Sequence, residues 1–278
     1  MPGDLARPRR SWLFTPATRP DRFAKAAAVG ADVLILDLED SVAPADKTRA
    51  RATAMDHIEA VRDVRTAVRI NGLDTRAGID DLHELLASQA DADFIVLPKT
   101  EGAAHVCILD GLLRESRKRS AIVALVESAR GLAAIDAIVD ATPRLAGVMF
   151  GAADMAADLG ALPAWEPLLH ARSRIVAACA RAGVLSIDSP FFEIRDASGL
   201  EAEIARSRAL GFVAKAAIHP AQIEPIRRAF TPPPDAVAHA RAILSANRAG
   251  VGVVDGQMID EAMARQARRT LAAAGVEP

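Results

Sequence analysis

The stretch VGADVLILDLEDSV, residues 29–42, sets the pattern for the whole chain. Gly30 and Asp32 form turn text, Val33-Leu34-Ile35-Leu36 is an unbroken apolar run, and Asp37, Glu39 and Asp40 follow at once. An apolar run that is short and does not alternate reads as a strand buried on both faces, as in a parallel sheet. Outward from it the same phrase recurs, with apolar runs at 11–15, 33–37, 67–70, 94–97, 122–126, 147–150, 184–187 and 212–214. Ala-rich helical stretches separate the runs, at 20–29, 45–62, 80–89, 100–119, 132–140, 168–182 and 199–210. Strand–helix alternation predicts a parallel α/β fold, and eight strands favour closure into a (β/α)8 barrel. The competing open sheet would carry a glycine fingerprint after its first strand, where this chain has LFTPATRPDR.

After about residue 220 the rhythm changes, and TPPPD at 231–235 reads as a linker. Two helices are expected beyond it, at 236–250 and 260–275, joined by GVGVVDGQMID. The predicted division is a barrel over 1–230 and a linker with a helical lid over 231–278. A tail of that size is too short for a core of its own, so it is expected to fold over the barrel mouth or a neighbouring subunit.

Bulk composition agrees with one globular unit. The chain has 278 residues, 51% hydrophobic and 25% charged, against the roughly 250 residues of a typical barrel. A net charge of −2 and a pI of about 6.3 provide no basic field for nucleic acid or an anionic membrane surface. Aromatics make up 4% with no Tyr, which argues against a base-stacking platform. Cys107 and Cys179 lie in apolar helical text without metal-ligand spacing, and are expected to be buried thiols in a reducing compartment. With no apolar targeting segment at the start and no membrane-length run, the cytoplasm is the expected location.

In a parallel barrel the chemistry stands at the carboxyl ends of the strands. Here those ends carry Asp37, Glu39 and Asp40; Arg69 and Asn71; Pro98 and Lys99; Glu127; Asp154; Asp188; and Lys215 and His219. Glu127 and Asp154, after adjacent strands, are expected to converge on one ion, and oxygen ligands without Cys or paired His suit Mg2+, with Mn2+ as the substitute, rather than Zn2+. The plainer alternative makes Glu127 a helix cap and pairs Asp154 with an arginine. Arg69 has the planar fork for a substrate carboxylate, unless it pairs internally with Glu39 or Asp40. The same acids could hydrogen-bond water on the ion. His219 reads more readily as a structural hydrogen bonder than as an acid or base. Lys99 and Lys215 raise a Schiff-base aldolase, but the acidic pair weighs against it and assigns both to electrostatics or structure. Asp37 and Asp188 could plug loop amides at the rim, and Asp188 is read as structural.

RSWLFTPATRPDRFAKA, DLEDSV, RING, LPK, VES, FGAADMAADLG, GFVAKAAIHPAQ and VDGQMID occur in this order. As a set they resemble the citrate lyase β-subunit-like family of the HpcH/HpaI aldolase and malyl-CoA lyase superfamily, over about residues 10–266. The resemblance implies a TIM barrel, usually trimeric or hexameric, with Mg2+ on Glu127 and Asp154. It implies that Arg69 holds the carboxylate of glyoxylate, pyruvate or oxaloacetate, and that Phe14, Arg19 and Lys25 face CoA. Asp260 resembles an acid/base supplied to a neighbouring subunit, its plainer reading being a helix N-cap. The expected site thus comprises Arg69, Asp37 and Asp260 for chemistry; Arg69, Glu127, Gly151, Ala152 and Ala153 for substrate; and Glu39 and Asp40 in support. Ala17, Ala214, and Glu261 with Ala262 replace residues common in relatives, two of them glycines, and bear on CoA approach and on the lid.

The expected function is a magnesium-dependent carbon–carbon lyase that cleaves or forms a 3-hydroxyacyl-CoA such as malyl-, citramalyl- or citryl-CoA. The partners would be a 2-keto acid and a short acyl-CoA, in a homo-oligomer, with acyl-carrier subunits an open matter. A thioesterase on the same site, a CoA-independent metal aldolase and a non-catalytic barrel are the alternatives.

Overall fold

The computed structural model describes residues 9–60, 64–248, 253–254 and 257–276. The eight strands are β1 (Ser11–Pro16), β2 (Val33–Asp37), β3 (Arg65–Arg69), β4 (Phe94–Leu97), β5 (Ala121–Val126), β6 (Leu145–Phe150), β7 (Leu185–Asp188) and β8 (Ala214–Ala217). Each pairs in parallel with the next, and β8 returns to β1, so the sheet closes. The helices are α1 (Phe23–Ala28), α2 (Lys47–Ala60), α3 (Arg76–Ala87), α4 (Ala103–Glu115), α5 (Ala129–Ala133), α6 (Ile135–Val139), α7 (Ala152–Leu159), α8 (Leu169–Ala182), α9 (Ala197–Leu210), α10 (Ile223–Phe230), α11 (Pro234–Arg248) and α12 (Glu261–Ala274). Among the described residues no helix is long and apolar enough to cross a membrane.

Alternation along each strand builds two cores. Inward residues, among them Ile35, Ala67, Val96, Leu125, Met149 and Ile187, fill the lumen, and Trp12 packs on Phe94 with ring centroids 4.9 Å apart. Outward residues such as Leu34, Leu36, Val68, Val126 and Phe150 meet the helices. The same parity lifts Asp37, Arg69, Glu127 and Gly151 above the lumen, two residues beyond Ile35, Ala67, Leu125 and Met149. Asp188 follows the inward Ile187 directly and turns outward.

Four details differ from expectation. Strand eight spans Ala214–Ala217 rather than 212–214, so Lys215 lies within it. Ala is a weak strand former, and Phe212 is instead buried in the outer core. The GAAD segment opens a helix, α7, and α10 follows β8, where neither element was expected. The single helix expected at 132–140 is two short ones, α5 and α6. Cys107 is exposed, one position past the buried Val106 on α4, whereas Cys179 is buried.

In the tail, α11 and α12 pack on each other around Ile243, Leu244, Ile259 and Leu271, so it holds a small apolar cluster where none was expected. Arg10, at the foot of β1, donates to Thr231 Oγ1 at 2.8 Å and to the Ala273 carbonyl near the end of α12. The readings made from residues 1–8 and from part of the 250–260 join lie outside the described residues.

Candidate active site

Asp37 and Arg69 are register partners at the ends of β2 and β3. Arg69 Nε donates to Asp37 Oδ1 and Nη2 to Oδ2, each at 2.7 Å. Its Nη1 lies 2.9 Å from Glu39 Oε2 and 3.3 Å from Asp40 Oδ2. Phe14, on β1, lies under the guanidinium, 4.8 Å from ring centroid to Cζ. Asp37 also accepts the backbone N–H of Glu39 at 3.0 Å and of Ser41 at 3.3 Å. Burial pushes its carboxyl up, but the Arg69 bonds outweigh burial and hold it below the usual range. Asp37 is therefore placed to position Arg69 and the β2 loop rather than to carry protons. One fork of Arg69 is occupied by Asp37, and Glu39 and Asp40 crowd Nη1, so a ligand reaches the Nη1–Nη2 edge by displacing these carboxylates.

Glu127 follows β5 and is 4% exposed. Its Oε1 accepts the Lys99 backbone N–H at 2.8 Å. Burial first, then the charges of Glu39 and Asp154, push its carboxyl up to about 8 against the pull of the Lys99 bond. Val126 and Phe150 are register partners, which sets Gly151 beside Glu127. A Cβ on Gly151 would stand 2.5 Å from Glu127 Cβ and 2.6 Å from Oε2, so the close approach itself requires glycine. Glu127 caps no helix, because Ser128 Oγ caps α5 by accepting Gly131 N–H at 3.1 Å.

Asp154 is exposed in the first turn of α7, and among the described residues no hydrogen bond or ion pair engages it. Ala152 and Ala153 open that helix, where backbone N–H groups lack intrahelical acceptors and favour an anion.

Lys99, assigned from the sequence to electrostatics or structure, joins two carboxylates of the rim. Its ammonium donates to Glu39 Oε1 at 2.6 Å, and burial, which favours the neutral amine, loses to that bond. Its φ of 49° is left-handed, a conformation that costs a non-glycine residue about 1–3 kcal/mol. The one available signal was its place directly after strand four. Lys47 was missed; its ammonium donates to the carbonyls of Leu38 and Glu39, both at 2.8 Å, and to Asn71 Oδ1 at 2.7 Å. It ties the β2 loop to the end of β3.

The remaining expected residues lie outside this cluster. Arg19 is exposed and engaged by Asp21 at 2.7 Å, and Lys25 is exposed on α1. Asp260 is exposed and caps α12 by accepting Met263 N–H at 2.8 Å. Asp188 is fully buried between Lys215 at 2.8 Å and Arg172 at 3.1 Å, in the outer layer. His219 caps the turn after β8.

The site fits a hard divalent cation. Among the described residues Glu127 is a buried carboxylate with no ion pair to a cationic side chain, and the buried Glu39 Oε2 faces Arg69 Nη1 at 2.9 Å without a hydrogen bond formed to it. Among the described residues no group of three His, Cys, Asp or Glu forms a metal cage.

The family model for HpcH/HpaI aldolase/citrate lyase matches residues 10–220. The chain belongs to this family. Its relatives include the L-malyl-CoA/beta-methylmalyl-CoA lyase of Cereibacter sphaeroides, 39% identical over 96% of this chain and 95% of that one. CitE from Mycobacterium tuberculosis, solved in complex with magnesium, acetoacetate and coenzyme A, superposes with a TM-score of 0.81 at 38% identity, covering 97% of this chain and 99% of that one. RipC from Yersinia pestis is 52% identical, with a TM-score of 0.75 over 84% of this chain and 99% of that one. The chain is built as a closed eight-stranded barrel, as its sequence pattern predicts.

Proposed function

We propose that this chain is a magnesium-dependent carbon–carbon lyase acting on a 3-hydroxyacyl-CoA that carries a carboxylate beside the hydroxyl carbon. The observation that carries the reading is the buried, poorly neutralised Glu127 carboxylate on the rim that also bears Arg69. The magnesium and coenzyme A of the CitE complex, and the thioester substrates of the malyl-CoA lyase, support it.

Glu127 and Asp154 would hold Mg2+, which when bound supplies positive charge beside the oxygen that changes from hydroxyl to carbonyl. The Nη1–Nη2 edge of Arg69 takes the substrate carboxylate, with the exposed Asp40, 3.3 Å away, moving aside and Glu39 Oε2, at 2.9 Å, yielding Nη1. Asp37 keeps the guanidinium in plane throughout. The first N–H groups of α7, at Ala152 and Ala153, face negative oxygen. In the cleavage sense the 3-hydroxyl passes its proton to water at the rim and becomes a keto group. The C2–C3 bond breaks, and its electron pair passes into the thioester enolate, which takes a proton at carbon. Asp260 from a second copy of the chain supplies that proton. Residues 1–230 would thus hold the substrate and 231–278 bring the acid. Arg19 and Lys25 receive the phosphates of CoA at the mouth.

A panel of malyl-, citramalyl- and citryl-CoA followed by mass spectrometry tests the proposal. The expected products are a 2-keto acid and an intact short acyl-CoA in equal amounts. Release of CoA with an intact hydroxy acid would make the protein a thioesterase instead.

A further inference from the structure

Two described non-glycine residues have positive φ, Arg117 at 58° and Lys99 at 49°. Arg117 lies just past the C-terminus of α4, where a left-handed residue commonly ends a helix. Lys99 ends no helix; it follows β4, and its conformation serves two carboxylates on different strand ends. The backbone N–H meets Glu127 Oε1 at 2.8 Å and the ammonium meets Glu39 Oε1 at 2.6 Å. Glycine would adopt this backbone without strain and keep the N–H, so the N–H alone does not account for a lysine here. What lysine adds is the ammonium.

We infer that Lys99 is a positioning residue, a brace between the β2 loop and the end of β5 that fixes Glu39 relative to Glu127. The brace leaves Glu39 Oε2 beside Arg69 Nη1, at 2.9 Å, and Glu127 Oε2 against Gly151. Two like charges share this rim, and without a cation between them they repel while the Glu39 side chain regains rotamers. Loss of the ammonium therefore loosens the oxygen array without touching the barrel. The inference rests on the reading of Glu127 as a cation ligand.

The test uses full-length wild type, Lys99→Gly and Lys99→Arg, each titrated calorimetrically with Mg2+ alone, melted, and assayed for kcat and KM with a cleaved acyl-CoA. Lys99→Gly is expected to melt at or above the wild-type temperature and to bind Mg2+ up to roughly 10-fold more weakly, the low end of what losing a direct partner of a metal ligand costs, because the ammonium acts through Glu39. Its kcat falls while KM for the acyl-CoA stays within about twofold. Lys99→Arg recovers part of the loss, since the lysine side chain is 45% exposed and a guanidinium has room to reach Glu39. A Lys99→Gly protein that binds Mg2+ like the wild type, or that loses melting temperature along with affinity, overturns the brace. Wild-type protein that binds no Mg2+ removes the reading of Glu127 as a ligand, and the brace falls with it.

Discussion

Asp37 and Arg69 meet through two parallel hydrogen bonds of 2.7 Å, one strand apart at the barrel rim. With the side chains 2% and 11% exposed, the pair is nearly dry. Removing one partner from such a pair strands the other charge, at about 3–5 kcal/mol. Asp37→Ala is expected to lower unfolding stability by less than that in denaturant titration, because Glu39 and Asp40 still face Arg69 Nη1. Asp37 titrates below its ordinary 3.8, so its stabilising contribution is complete above about that pH and is lost as the pH falls through its lowered value. Asp37→Asn should flatten the acid limb of the stability curve, seen in melts below pH 4.

Glu127 has the opposite sign. Its carboxyl is raised from 4.5 to about 8, so ionisation opposes folding increasingly as the pH rises across that interval. Glu127→Gln is expected to gain melting temperature over metal-free wild type between those values, and Mg2+ should raise wild type but not the variant. Turnover should fall by more than the roughly 100-fold seen when only an outer partner is lost. A variant with wild-type turnover at saturating Mg2+ would refute the assignment.

Gly151→Ala places a methyl 2.6 Å from Glu127 Oε2. Overpacking of this kind costs about 1–3 kcal/mol. The larger expected effect is a displaced carboxylate and a loss of Mg2+ affinity of roughly 10–100-fold. Calorimetry separates this from a purely thermal defect.

Asp260 caps α12, and asparagine caps a helix about as well as aspartate. Asp260→Asn should therefore keep its melting temperature but lose roughly 100- to 10,000-fold in turnover if the carboxyl moves a proton. Wild-type turnover in this variant would reduce Asp260 to a cap. Mixing it with Arg69→Ala protein should restore activity if the acid comes from another copy.

The two-residue period of the strands made much of the rim readable. Stepping by two from Ile35, Ala67, Leu125 and Met149 reaches Asp37, Arg69, Glu127 and Gly151, and the same step excludes Asp188, which adjoins the inward Ile187. The arrangement within the rim was not readable. Whether Asp37 or Glu39 takes the Arg69 fork depends on loop geometry set by Lys47 and by Asn71, the latter distant in sequence. The left-handed turn at Lys99 leaves no mark in a residue type that rarely adopts it. Strand eight was misplaced because Ala-Lys-Ala-Ala lacks β-branched residues, and its lysine is neutralised by Asp188 and Glu203, which arrive from other elements.

The proposed catalysis requires one divalent ion between Glu127 and Asp154 beside Arg69. Titration of Mn2+ into wild type, Glu127→Gln and Asp154→Asn, followed by electron paramagnetic resonance, addresses it most directly. One tightly held ion per chain in wild type and none at the same concentration in either variant is the predicted result. Equal binding in all three proteins would contradict it.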